Sequence, residues 1–240
     1  MSSKSAFLKG IKAGLPICFG YLSVAFAFGI FALSSGLDSL QALLISMTNV
    51  TSAGQLAAVP IMVGGGTLFE LAASQFVINL RYSLMSVSLS QKFDKSFRLV
   101  DKLLVAFVVT DEVFAVAASQ KGEVGKHFMY GLILTPYVGW SAGTIFGAVT
   151  GNVLPAIVIS ALGIAIYAMF IAIVVPVARE DKKTLICVVI AIALSLAFHF
   201  VPLLNRVPGG FVVIICAVAA SALAAWLFPV KNEEKEDVAV

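Results

Sequence analysis

Charge is scarce in this chain: Lys, Arg, Asp and Glu make up 12% of its 240 residues, where soluble domains carry about 25%. Histidine is scarcer still, with two residues, and cysteine has three. Cys18, Cys187 and Cys216 stand singly inside apolar runs and form no CxxC pair, so they read as small buried hydrophobes without a disulfide or metal framework. No HExxH helix occurs, and no second histidine accompanies His199 within an apolar run. A metal or nucleophile constellation is therefore missing, and the expectation is no enzyme, no metal and no cofactor. The formal charge of +3 is small, with the basic residues spread over loops rather than gathered into a stripe, so nucleic-acid binding has no support.

What fills the chain instead is apolar: 60% of the residues are hydrophobic and the mean hydropathy is +1.02. Eight segments stand out, roughly Leu15–Leu33, Leu40–Val63, Thr67–Ser90, Leu103–Ala118, Phe128–Val149, Leu154–Ala178, Leu185–Leu204 and Gly209–Phe228. Each approaches the roughly 20 residues that a helix needs to cross a bilayer. Barrel strands would be shorter and alternate in polarity, so the fold class is all-α: a polytopic integral membrane protein with about eight (seven to eight) transmembrane segments, one or two of them broken or re-entrant. The expected organisation is a cytoplasmic N-terminal segment (1–14), one transmembrane domain (15–228) and a charged cytoplasmic tail (229–240), in which Asn232 to Asp237 has no apolar face. Lys4, Lys9 and Lys12 followed by Ala25-Phe26-Ala27 resemble a signal peptide, but the apolar run continues through Leu33, long enough to span, and reads as a retained first helix.

Eight crossings with the N-terminus inside place Lys4, Lys9, Lys12, Lys121, Lys126, Arg179, Lys182, Lys183, Lys231 and Lys235 in the cytoplasm. Lys92, Lys95, Arg98, Lys102 and Arg206 would lie outside, a split of ten to five. A re-entrant Leu40–Val63 would flip everything after it and leave eight against seven, so eight crossings are favoured, with the basic loop Lys92–Lys102 as the weak point.

Two runs are poor continuous helices. Asn49 to Gln55 puts small and polar residues at the midpoint of the second, with Pro60 and Gly64-Gly65-Gly66 beyond; the third carries Glu70, Gln75, Asn79 and Arg81, which argues that it faces the interior. Interrupted helices at mid-membrane offer free N–H and C=O groups to a solute, so Thr51, Ser52, Gly54 and Gln55 are candidate binding residues. In the fourth run, Thr110-Asp111-Glu112 places two carboxyls where a central Asp costs roughly 2.5–3.5 kcal/mol, which makes them a functional hypothesis by default. Arg81 is the natural partner of Asp111, either as a static pair or as one that opens when Asp111 takes a proton. Glu112 points about 100° away on a helix and would face another helix or interface. His199 is either a proton-handling or a packing residue, and Glu70, close to Gly66, is expected at the solvated surface.

Gly139, Gly143, Gly147 and Gly151 form overlapping GxxxG steps, a face bare enough for close helix packing, with a partner inside the chain or in a second subunit. Ser52-Ala53-Gly54 recurs as Ser141-Ala142-Gly143, a possible mark of an inverted repeat.

Several stretches resemble the AzlC family, the large subunit of branched-chain amino-acid exporters of bacteria and archaea. They are Val24-Ala25-Phe26-Ala27-Phe28-Gly29, Ser52-Ala53-Gly54-Gln55, Asn79-Leu80-Arg81-Tyr82-Ser83-Leu84 and Thr110-Asp111-Glu112-Val113-Phe114-Ala115. Trp140 to Gly151 and Ala168-Met169-Phe170 fit as well, and together the resemblance runs from Gly14 to about Arg179. It implies a secondary transporter subunit in the cytoplasmic membrane of a prokaryote that exports small hydrophobic amino acids, coupled to protons, together with a small membrane subunit of the AzlD type. The competing expectation is a passive channel or a structural subunit for another small solute. Two departures fall at the expected site: Asn49-Val50-Thr51 stands where the family has an aromatic residue, and Tyr82 where it has histidine.

Overall fold

The computed structural model describes residues 3–151, 155, 157, 171 and 174–229. Among them the chain is helical, apart from one isolated bridge between Phe93 and Val124. It forms two compact units that divide after Met169. The first contains α1 (Ser3–Ser34), α2 (Ser39–Thr48), α3 (Ala53–Val63), α4 (Leu68–Ser90), α5 (Leu99–Val108), α6 (Asp111–Ala118) and α7 (Lys126–Gly151). The second contains α8 (Lys182–Phe200) and α9 (Gly209–Leu227), joined through a 3-10 turn at Leu204–Arg206. Four described helices, α1, α7, α8 and α9, are long and apolar enough to cross a membrane. The expected segment Leu154–Ala178 lies largely outside the described residues, as do Ala168-Met169-Phe170 and the tail from residue 230 onward.

The first unit is organised by glycine. A Cβ on Gly139, Gly143 or Gly147 of α7 would collide with α1 backbone at Cys18, Leu22 and Phe26 in turn, and one on Gly10 or Gly29 of α1 would collide with α7 backbone. The bare faces therefore bring the two helices into backbone contact, as small-residue seams do where lipid supplies no hydrophobic drive. Gly151, whose Cβ would sit 3.6 Å from Ile30, is in ordinary contact at the end of the seam. The neighbour of the α7 glycines is thus α1 of the same chain. Because partner numbers rise together along both helices, α1 and α7 run parallel and start at the same end of the unit.

Two of the expected membrane segments are not single helices. Leu40–Val63 is α2 and α3 with a break at 49–52, and Leu103–Ala118 falls within α5 and α6, broken at Val109-Thr110. Each pair folds back on itself. Val63 at the end of α3 reaches Gly36, just before α2, and Ala42 and Val59 of the two arms pack together with Phe28 of α1. After α6, Val124 N–H donates to Lys92 O at 2.7 Å and Asp94 N–H donates to Val124 O at 3.1 Å, so the chain returns to where α5 began. Lys92 Nζ adds bonds to the carbonyls of Ala118 and Gln120, closing the end of α6. One or two broken or re-entrant helices are expected from the sequence, and two segments are found as hairpins of half-length helices.

The third run, in contrast, is one continuous 23-residue helix, α4, despite its polar content. Its start is fixed by Thr67, whose Oγ1 accepts from Glu70 N–H at 3.1 Å. Glu70 is 5% exposed, packed beside Ile61 and Gly66 rather than at a solvated surface as expected. The main apolar cluster joins Ile17 of α1, Leu89 of α4, Val105 and Val113 of the second hairpin, and Met129 and Leu132 of α7.

Candidate functional site at the two helix breaks

The first break is a polar clasp. Ser52, with φ of 54°, turns the chain through a region that side-chain-bearing residues rarely adopt. Gln55, fully buried, accepts from Trp140 Nε1 at 2.9 Å and from Ser52 N–H at 3.3 Å, and donates to Ser46 Oγ at 2.9 Å. Ser46 Oγ and Thr144 Oγ1 share a 2.6 Å bond, so both arms of the hairpin are tied to α7. On the other side Gln75 of α4 accepts from Asn49 Nδ2 at 2.9 Å and donates to Gly54 O at 2.9 Å, while Thr51 Oγ1 donates to Asn49 Oδ1 at 2.7 Å. Gly54 must be glycine here: a Cβ would strike Thr51 Oγ1 and lie 2.7 Å from Gln75 Oε1. Asn79 Nδ2 joins at 3.3 Å, but its Oδ1 is buried without a hydrogen-bond partner among the described residues.

The second break is charged. Thr110, expected in the middle of a helix, is instead the N-cap of α6, accepting from Val113 N–H at 3.4 Å, and Asp111 and Glu112 form the first turn. That is where the helix dipole favours negative charge. Arg81 Nη1 lies 2.9 Å from Asp111 Oδ2 and donates to Oδ1 at 3.2 Å, and Nη2 donates to the Tyr82 hydroxyl at 2.8 Å. The expected pair is formed, with both side chains about half exposed, at 50% and 44%. Glu112 turns the other way and bonds the phenol of Tyr21 on α1, which also lies 2.6 Å from Thr110 Oγ1. A phenol has one hydrogen. When it serves Glu112, the Thr110 hydroxyl supplies the second bond.

The expected site residues thus fall into two groups. Asn79 and Arg81, two residues apart on α4, point about 200° from each other. Asn79 joins Thr51, Ser52, Gly54 and Gln55 at the first break, while Arg81 joins Thr110, Asp111 and Glu112 at the second. The link between them is a pair that sequence reasoning passed over: the ring of Tyr21 meets Trp140 edge-on. The signal for both was an aromatic side chain with a polar handle inside an apolar run. Ser141, which repeats Ser52 in sequence, lies within α7 and donates to Tyr137 O at 3.0 Å, so the Ser-Ala-Gly recurrence does not land in like surroundings. His199 belongs to the second unit, in the last turn of α8, stacked edge-on against Phe200.

Apolar helices long enough to span a bilayer, with amide, hydroxyl and charged groups gathered at two helix breaks of the first unit, define a polytopic helical membrane protein. The chain belongs to the AzlC family: residues 16–154 match its description, AzlC protein. A membrane protein of Archaeoglobus fulgidus is 31% identical, over 94% of this chain and 97% of its own length. The inner membrane protein YgaZ of Escherichia coli is 29% identical over 80% and 81%, and the branched-chain amino acid transport protein AzlC of Bacillus subtilis is 24% identical over 75% and 70%. No solved structure matches the chain.

Proposed function

We propose that this chain is a carrier subunit, not an enzyme, that exports branched-chain or similar small hydrophobic amino acids across the cytoplasmic membrane of a prokaryote. In this reading its N-terminus is cytoplasmic, transport is coupled to protons, and a small membrane subunit of the AzlD type completes the system. The observation that carries it is the juxtaposition of Arg81–Asp111 and Tyr21–Glu112 at the break before α6. Exposed charge at such a place is costly in lipid, and it fits a water-lined solute path. The name of the Bacillus subtilis relative supplies the substrate class.

The two carboxyls divide the work. Asp111 is matched by a guanidinium and holds Arg81 in place for the path, whereas Glu112 has only the neutral phenol and no cation within 4 Å among the described residues. Glu112 is therefore the carboxyl left without a countercharge for the coupling step. Its hydrogen-bond partner is Tyr21 on α1, with Tyr82 of α4 and the adjacent Asp111 nearby. A solute carboxylate is suited to the start of α3, whose first turn carries no acidic residue, and its ammonium to the unpaired Asn79 Oδ1.

Leucine or valine counterflow in vesicles holding this chain and its partner tests the reading. Asp111→Asn and Arg81→Gln should lose counterflow while still inserting in the membrane. Glu112→Gln should keep exchange and lose its response to a pH gradient. Wild-type vesicles without saturable counterflow would refute the carrier.

A further inference from the structure

We propose that the hairpins α2–α3 and α5–α6 are re-entrant, entering the membrane from opposite faces and meeting at mid-depth on α4, so that a different hairpin separates the site from each aqueous side. The directions of the long helices carry this. α1 and α7 are parallel, so the start of α7 and the loop before it lie at the end where α1 begins. The loop after α4 is bonded to that same loop through Lys92, Asp94 and Val124. α4 therefore ends where α1 begins and runs antiparallel to it. Having left α1 at the far end, α2–α3 must return to the far end before α4 starts, and the approach of Val63 to Gly36 is that return. α5–α6 likewise starts and finishes at the near end. Tyr130 of α7 donates to Asp101 in the first turn of α5, and Lys9 of α1 lies over the Phe128 ring of α7, so three helix starts share one end.

The depth agrees. Arms of 10, 11, 10 and 8 residues reach about 12–16 Å at 1.5 Å per residue, half of a hydrocarbon core of about 30 Å. The first tip bonds α4 at Gln75, and the second bonds it at Arg81, only about 9 Å further along the helix. The irregular backbone of both tips is packed on protein, as it must be at that depth.

Charge gives an independent count. Lys4, Lys9 and Lys12 stand at the near end. So do Lys92, Lys95, Arg98 and Lys102 after α4, and Lys121 and Lys126 before α7. The far-end loops, 35–38 and 64–67, contain no Lys or Arg. Nine against none is the asymmetry expected of a cytoplasmic near end, whereas a crossing α5–α6 would strand Lys121 and Lys126 outside, and the crossing of both segments would strand Lys92, Lys95, Arg98 and Lys102 instead. The basic loop that contradicted eight crossings is explained by re-entry. Only the statement that a solute occupies the meeting point rests on the proposed transport; the topology does not.

Impermeant maleimide on intact and inverted vesicles tests it, using the full chain with its three cysteines changed to alanine. Single cysteines at Ser3→Cys, Ser96→Cys and Lys121→Cys should label from one face, and Ser34→Cys and Leu68→Cys from the other. Labelling of positions 96 and 121 from opposite faces would overturn the proposal. As a second measurement, Phe93→Cys with Val124→Cys should form a disulfide under mild oxidation; a crossing segment would hold these positions a membrane thickness apart, and no cross-link would count against re-entry. Neither readout depends on transport.

Discussion

Tyr21 presents its ring to Trp140 with centroids 5.0 Å apart and planes at 75°. The indole N–H is committed to Gln55 and the phenol to Glu112 and Thr110, so an edge-to-face contact between two helices that already share a glycine seam joins the amide-rich tip of one hairpin to the charged tip of the other. Three groups in two hairpins are held in register by two aromatic rings.

Gln55 is the hub of the first tip, and its loss should be felt by three partners. Gln55→Leu strands Trp140 Nε1 and the Ser52 N–H in a buried setting, and a cost of about 1–3 kcal/mol is expected. Trp140→Phe, which keeps the aromatic contact and removes one donor, should cost less than Gln55→Leu. Thermal unfolding in detergent ranks the two.

The glycines of α1 and α7 differ by what surrounds them. Gly147→Ala forces a methyl into Phe26 backbone and should destabilise by about 1–3 kcal/mol. Gly20→Ala, where nothing lies within 4 Å, should be neutral or stabilise α1 by up to about 1 kcal/mol. The same unfolding measurement separates these, and equal effects would contradict the seam.

Ser52 holds a positive φ that glycine adopts without penalty. Ser52→Gly should therefore stabilise the chain by about 1 kcal/mol, since the backbone bond to Gln55 survives. A loss of stability would mean that the serine hydroxyl matters more than its backbone.

Outside the apolar spans, Asp181 caps α8 through Thr184, whose hydroxyl donates at 2.6 Å, and through the N–H groups of Thr184 and Lys183. These bonds hold its carboxyl below the ordinary aspartate range. A depressed folded-state pKa means that the cap is complete above about pH 4 and is lost as pH falls through the lower folded value. Amide exchange at Lys183 and Thr184 should accelerate in that acid window, and in Asp181→Ala it should be fast at every pH.

The all-helical membrane class was legible from apolar length alone, and the Arg81–Asp111 pair from the cost of leaving either charge unmatched. Thr110 also carried a readable sign, since Thr followed by Asp and Glu is how a helix starts. It was hidden because apolar runs flank Thr110-Asp111-Glu112 on both sides, and hydropathy does not record a change of direction. The same blindness applies to the two hairpins: composition reports how much chain can lie in lipid, not where it folds back. Glu70 was misplaced for a related reason, because nearness to a glycine turn in sequence says nothing about what packs over it.

The bonding of the two tips implies a mechanical asymmetry. Ser46, Gln55, Trp140 and Thr144 form a neutral knot that no change of protonation loosens, and it fastens both arms of α2–α3 to the seam of α1 and α7. The tip of α5–α6 hangs on Arg81, a phenol and two carboxyls, all of which respond to charge. If the two hairpins re-enter from opposite faces as proposed, the far side of the path is bounded by a neutral tip and the near side by a charged one.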